Sequence, residues 1–177
     1  MNAIGGLAQV TVLEVGNESR AVIERLAQLE RHDLSEFRGT LPNADGVYEI
    51  RWLPLFFEDA ERRTYLIECD GALAGFALTR PLDGEVTSLT AFFVVRALRR
   101  RGVGHTAALE LLRQRPGKWG IAFQEENPGA ARFWRRVATD AVGPSWVEEP
   151  RPVPGQPDLP PDIWIFLDSG SLVGFVR

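Results

Sequence analysis

Ala91-Phe92-Phe93-Val94-Val95-Arg96-Ala97-Leu98-Arg99-Arg100-Arg101-Gly102-Val103-Gly104-His105-Thr106 is the stretch whose reading decides the fold. Its apolar opening closes a strand predicted over Thr87 to Val95, and Ala107-Ala108-Leu109-Glu110-Leu111-Leu112 continues as a helical pattern. Between the two lies a basic glycine turn. Glycines let successive backbone N–H groups point at one oxyanion, and a helix N-terminus adds its dipole. Arg99, Arg100 and Arg101 add charge-assisted donors suited to phosphate oxygens. The turn is therefore expected to cradle a phosphate-bearing ligand. A plain solvated helix start would explain the arginines alone, but not the glycines beside them.

The rest of the chain sets the background for that cluster. A length of 177 residues points to one domain, and 45% hydrophobic residues suffice for a packed core. A net charge of -4 argues against a general nucleic-acid binder. Cys69 is the only cysteine, so the chain forms no internal disulfide and no cysteine-rich metal site; no metal is expected. No apolar run approaches the roughly 18 residues of a membrane span. Met1 to Gly6 lack the basic start and apolar core of a signal peptide, so the expected location is cytoplasmic.

Working outward, Ala8 to Val15 alternates as a strand, and Val22, Ile23, Leu26, Leu29 and Leu34 give helical spacing to about Phe37. A shorter helix is expected over Trp52 to Ala60, with Pro54 limiting its start. Thr64 to Cys69 and Ala72 to Arg80 read as strands joined by an Asp70-Gly71 hairpin turn. After the glycine turn a helix runs to Pro116-Gly117, then a strand over Lys118 to Gln124. Asn127 and Pro128 open a helix through Val137. Six of the twelve prolines crowd Pro150 to Pro161, which predicts a stiff connection over residues 149–162. A strand follows over Asp162 to Asp168, and Ser171 to Arg177 reads as an edge strand or a frayed end. The order β-α-α-β-β-β-α-β-α-β-β implies a mixed α/β sheet with helices on its faces.

Two general glycine motifs compete for the turn. A nucleoside-triphosphate loop needs Gly-x-x-x-x-Gly-Lys-Ser/Thr, which is absent. Gly102-x-Gly104-x-x-Ala107 does satisfy the dinucleotide fingerprint, and Glu125 lies about 20 residues on, where a ribose-binding acid belongs. Against that, Arg96 to Arg101 separate strand from glycine, and the motif follows three antiparallel-looking strands instead of opening the fold.

A third reading rests on resemblance. Arg99-x-x-Gly102-x-Gly104 after Phe-Phe-Val-Val resembles the acetyl-CoA pyrophosphate loop of the GNAT superfamily of N-acetyltransferases. Asn127-Pro-Gly-Ala130-Ala131-Arg132-Phe133-Trp134 resembles that family's Asn-x-x-Ala-x-x-Phe-Tyr helix, and the element order matches over roughly residues 8 to 168. His32-Asp33-Leu34-Ser35-Glu36-Phe37, Phe92-Phe93-Val94, Pro116-Gly117-Lys118-Trp119 and Phe133-Trp134-Arg135-Arg136-Val137 together resemble a bacterial subgroup of predicted acetyltransferases. The resemblance implies a single acetyltransferase domain over residues 1–177. It also implies the acyl-CoA N-acyltransferase fold, a mixed, mostly antiparallel central sheet flanked by helices.

It further implies acetyl-CoA as cofactor, with roles residue by residue. Backbone groups of Phe92, Phe93 and Val94 would pair with the pantetheine arm as if it were a strand. Arg100, Arg101, Gly102, Val103, Gly104 and His105 would take the pyrophosphate, with Arg99 at the motif's Gln/Arg position. Asn127 would hydrogen-bond the arm near its thiol end. The reaction expected is direct attack of a primary amine, on a small molecule or a protein, upon the thioester.

Two of the family's usual proton-handling positions are empty. Trp134 stands where a tyrosine acid is common, and Ala91 where the subgroup carries a glutamate. Glu125 is then the candidate catalytic base, beside the reading that it is a solvated loop carboxylate. Asp33 and Glu36 on the first helix are candidates for binding a cationic acceptor. Trp52, Phe56 and Phe57 either line the acceptor pocket or pack the second helix. The alternative class is a non-catalytic acyl-CoA-binding sensor or regulatory module. The apolar Leu172-Val173-Gly174-Phe175-Val176 would suit edge pairing with a second copy, giving a homodimer.

Overall fold

Three strands joined through tight turns form the middle of the molecule. In the computed structural model, which describes residues 8–172, β2 (Arg63–Cys69) returns as β3 (Ala72–Pro81) through Asp70-Gly71. Both turn residues have positive φ, 51° and 77°, the backbone that a two-residue hairpin needs. β4 (Thr87–Val94) lies antiparallel to β3, and β1 (Val10–Val15) lies antiparallel to β2 at one edge. On the other side come β5 (Lys118–Phe123), β7 (Asp162–Asp168) and β6 (Trp146–Arg151). The seven strands run in the order β1-β2-β3-β4-β5-β7-β6, and only the β4–β5 pair is parallel. This is the mixed sheet expected from the element order, and the mostly antiparallel one that the family resemblance implied.

Helices cover both faces. On one, α1 (Arg20–Arg38) and the four-residue α2 (Leu55–Glu58) belong to a core of Ile23, Leu26, Ala27 and Phe56 against Phe76, Leu78, Ala91 and Phe93. On the other, α3 (Val103–Gln114) and α4 (Pro128–Val142) bury Ala107, Leu111, Trp134 and Val137 against the sheet. Burying one such large apolar side chain contributes about 1.5–3 kcal/mol. Strand alternation thus gives β4 two distinct faces. Ala91 and Phe93 look toward α1, while Phe92 and Val94 look toward α3 and α4.

The feature that positions the site is where β4 leaves β5. Their pairing covers only Thr87–Leu89 against Trp119–Ile121. Across β3, Thr79 faces Leu89 while Leu78 faces Ala91, so Thr90 is one extra residue, a bulge that bends β4. β3 stays tight against the bent strand. A Cβ on Gly75 would stand 1.9 Å from the Phe93 carbonyl oxygen, so that close approach requires glycine.

Several sequence expectations shift. Of the helical stripe read through Val22, Ile23, Leu26, Leu29 and Leu34, Ile23 and Leu26 are core as expected, but Leu29 is 51% exposed, and Ala27 and Glu30 face inward instead. The second helix contracts from Trp52–Ala60 to α2, starting after Pro54 and ending where Asp59 turns extended. α4 continues past Val137 to Val142, because Ala138 and Ala141 extend its buried stripe. The strand over 162–168 is found, and a strand at 146–151 joins it that was not read from the sequence. Pro150 sits in β6 because an edge strand can spare one N–H, so the proline-rich connection narrows to residues 152–161. Residues 169–172 form a 3-10 turn, and residues 173–177 lie outside the described residues, with most of the proposed dimer-forming tail.

Candidate active site

Where β4 and β5 separate, two cavities meet at the edge of β4. One, of about 590 Å³, opens on the α3/α4 side. The other, of about 430 Å³, opens on the α1 side. Phe92, Val94, Arg99 and Asn127 line both.

The first cavity is basic. Arg100, Gly102, Gly104 and His105 line it from the glycine turn, and Arg132 and Arg136 from α4. Gly102 is at φ 82° immediately before α3, and Arg100 also has positive φ, 60°. This left-handed backbone re-aims successive N–H groups into a concavity at the helix N-terminus. A Cβ on Gly104 would meet only Phe133 and Val94 side-chain carbons at 3.6 Å, so its value is open space in the groove. Of the predicted phosphate residues, Arg101 is exposed outside the lining, and Val103 is buried in the core. His105 Nε2 lies 2.8 Å from Asp140. Arg132 and Arg136 were not singled out from sequence; their spacing of one helical turn on α4 was the available signal.

Arg99 faces a different way from the other arginines. Its Nε donates to the Val94 carbonyl at 2.7 Å, its guanidinium stacks on Phe93, and it pairs with Asp33. Arg96 donates to the same carboxylate at 2.6 Å. Partial burial pushes the Asp33 carboxyl up, but the two arginines outweigh it and hold it below its usual range. Asp33 thus ties α1 to the segment after β4. Asn127 caps α4 by accepting from the Ala130 N–H at 3.0 Å, which leaves its amide NH2 for a ligand.

The second cavity carries carboxylates. Glu30, Asp33 and Glu36 reach it from α1, and Asp162 from the start of β7. Arg38, outside the lining, lies 2.8 Å from Asp162 and 3.6 Å from Glu126. Burial pushes the Asp162 carboxyl up, against the pull of Arg38. Glu30 is 8% exposed, and its Oε2 has no hydrogen-bond partner. Burial pushes its carboxyl up to about 7; Arg31 and the Phe92 N–H lower it, and Asp33 raises it slightly. Sequence reasoning passed over Glu30. Its signal was position: it stands three, four and seven residues after Ala27, Leu26 and Ile23, on the buried stripe itself.

Glu125 is placed elsewhere. Arg135 holds its carboxylate at 2.9 Å and holds Glu148 at 2.8 Å, and Glu125 lines neither cavity. Trp134 packs edge-on against Phe92 and Phe133 and borders the second cavity. Phe56 is buried core with Trp52 against its edge, so these aromatics pack α2 and do not line the cleft.

The model of the acetyltransferase (GNAT) family matches residues 23–138. The chain belongs to the GNAT acetyltransferase family. Its activity is acetyl transfer from acetyl-CoA to an amine, which removes the dinucleotide reading of Gly102-x-Gly104-x-x-Ala107. Spermidine N-acetyltransferase from Vibrio cholerae, solved with CoA and spermine, is similar in fold, with a TM-score of 0.66 and 14% identity over 94% of this chain and 99% of that one. An acetyltransferase from Thermus thermophilus gives 0.64 and 17% over 92% and 98%. The ribosomal-protein-S18-alanine N-acetyltransferase from Escherichia coli gives 0.56 and 14% over 90% and 94%. At such identities the likeness is one of fold. No curated protein matches the sequence.

Proposed function

We propose that this chain acts as a single domain that acetylates a primary amine arriving as a cation, the two substrates meeting at the bared edge of β4. The observation that carries this reading is the pair of cavities, one basic and one where Glu30, Asp33, Glu36 and Asp162 stand among Arg31, Arg96 and Arg99, sharing Phe92, Val94, Arg99 and Asn127. Acetyl-CoA supplies the acetyl group as an activated thioester. The chain's residues fit it: the bared backbone of Phe92 to Val94 can pair with an extended arm, and the Gly102–His105 turn can take phosphates. Arg100, Arg132 and Arg136 add the positive charge that a polyanion requires. Asn127 donates to the arm between the two cavities.

The carboxylates of the second cavity are suited to an ammonium, and Glu36 and Asp162 extend that character along its wall. The Vibrio and Escherichia enzymes are named for a polyamine and for a protein alanine, which supports the class of acceptor and no particular one. Cytoplasmic residence is part of the proposal, supported by the lone buried Cys69 and hence no internal disulfide. Among the described residues, no helix is long and apolar enough to cross a membrane.

Calorimetric titration with acetyl-CoA, followed by thiol release with spermidine, a lysine peptide and an alanine-N-terminal peptide, tests the reading. Binding with thiol release for at least one amine is expected. Binding with no release from any of them would instead support the acyl-CoA sensor.

A further inference from the structure

Most of the buried side-chain polar atoms without partners among the described residues belong to one cavity. Tyr65 Oη and Arg38 Nε lie outside its lining, while Arg31 Nε and the Arg38-paired Asp162 Oδ1 are on it. Three further oxygens stand there with no cation in contact. Glu30 Oε2, Thr90 Oγ1 and Gln124 Oε1 come from α1, from the bulge in β4 and from the residue after β5, and all three line the α1-side cavity. An unpaired buried oxygen costs about 1–3 kcal/mol, so three around one space call for a ligand that donates hydrogen bonds. A primary ammonium has three N–H donors.

Glu30 also stands at the reacting edge. It lines the same cavity as Phe92, which belongs to the part of β4 that has lost β5 as a partner. Ala91, the position whose expected glutamate is missing, faces the same α1 side and lines the same cavity. A carboxylate absent from the strand is thus supplied from the helix packed over it. Resting on the proposed acetyl transfer, we infer that Glu30 receives the proton of the acceptor ammonium, with Thr90 and Gln124 as the other two oxygens that hold it.

The proton balance closes. The ammonium gives one proton to the Glu30 carboxylate and becomes a neutral amine. Its lone pair forms the N–C bond to the acetyl carbon, and the C–S bond breaks with its electrons on sulfur. The nitrogen's surplus proton goes to that sulfur, consistent with Trp134 offering no acid there. Glu30 then releases its proton to water.

The charges facing Glu30 favour this role. On its own helix, Arg31 stabilises the carboxylate, while Asp33 is engaged by Arg96 and Arg99. Across the cavity, Asp162 is engaged by Arg38, which also reaches Glu126, and Glu36 lies at the rim. Among the described residues, Glu30 is therefore the buried carboxyl in this cleft without a basic partner in contact. Held near neutrality by burial, it suits a base working close to physiological pH.

The test uses the full chain with acetyl-CoA bound, as wild type and as Glu30→Gln. Difference infrared spectroscopy should show a carboxylic acid band that titrates with a midpoint of about 7, moves to lower pH when methylammonium is added, and vanishes in the variant. With whichever of spermidine or the two peptides is acetylated, kcat should fall about 100-fold or more in Glu30→Gln and lose its inflection near neutrality. Acetyl-CoA affinity should be unchanged, and Glu30→Asp should recover part of the rate. A variant within about threefold of wild type, with the same pH profile, would overturn the inference. If wild type acetylates none of these amines, the acceptor reading fails by itself. The infrared band then decides for Glu30: a carboxyl already ionised at pH 5 overturns its role, and a midpoint near 7 that methylammonium lowers sustains it.

Discussion

The phosphate cradle on the α3/α4 side of β4 is a turn of chain neighbours, Arg99 to His105, whose chief donors are backbone N–H groups, with Arg132 and Arg136 added from α4. The cavity on the α1 side takes its polar lining from well-separated segments, among them those of Glu30, Thr90, Arg99, Gln124 and Asp162. One is a local conformation; the other exists only once the sheet has closed. The first therefore depends on glycines that leave space and left-handed backbone, and the second on individual side-chain oxygens, each removable by one substitution.

On that contrast, the largest single effect comes from filling the backbone groove with charge. Gly104→Asp should weaken acetyl-CoA binding by about 100-fold or more, because a carboxylate there opposes phosphate across a short distance. Its Cβ meets only ordinary contacts at 3.6 Å, so thermal stability should move by no more than a few degrees. Unchanged affinity in the calorimeter would remove the phosphate cradle from the description.

The second effect belongs to the side-chain cavity and is read in stability. Burial raises the Glu30 carboxyl from 4.5 to about 7, so between those values the folded state holds a proton that the unfolded state has lost. Stability therefore falls as pH rises through that window, by at most about 3 kcal/mol at 1.36 kcal/mol per pKa unit. Glu30→Gln, which cannot ionise, should flatten that slope and be the more stable protein above pH 7. Denaturant melts at several pH values check this, and parallel slopes for the two proteins would show that Glu30 titrates normally.

How legible each region was in the sequence follows from the same contrast. The glycine turn, the Asp70-Gly71 hairpin and the Asn127 cap are local, so residue type and spacing were enough to find them. Glu30 was hidden because Leu29 continues the stripe of Ile23 and Leu26 as well as Glu30 does, and only packing against Ala91 and Phe93 chooses between two neighbours about 100° apart on the helix. β6 was hidden because Pro150 argues against a strand unless the strand is known to lie at an edge. Glu125 looked apt because it follows β5 toward the cleft. What sequence could not show is that Arg135, one face of α4 away, takes its carboxylate.

Asn127 lies on both sides of the comparison and predicts a third, smaller effect. Its side-chain oxygen caps α4, so Asn127→Ala should cost about 1 kcal/mol in chemical denaturation. Its amide NH2 faces the shared space, so acetyl-CoA affinity should fall several-fold in the same variant. Asn127→Asp separates the two contributions: it keeps the cap but loses the NH2 donor. Full stability with weakened binding is the expected pair, and weakened stability in both variants would reduce Asn127 to its cap.

The smallest effect is expected at Glu125. Its carboxylate is about half exposed and shares Arg135 with Glu148, so removing its charge leaves the arginine partnered. An exposed pair of this kind is worth about 0–1 kcal/mol, and Glu125→Gln should stay within that range. Its rate should remain within about twofold of wild type, with the pH profile intact. A large loss of kcat with acetyl-CoA binding preserved would instead mean that Glu125 leaves Arg135 and turns into the cleft when substrate is bound. The proton would then leave through the β5 side of the cleft, and Glu30 would be left holding the ammonium without accepting from it.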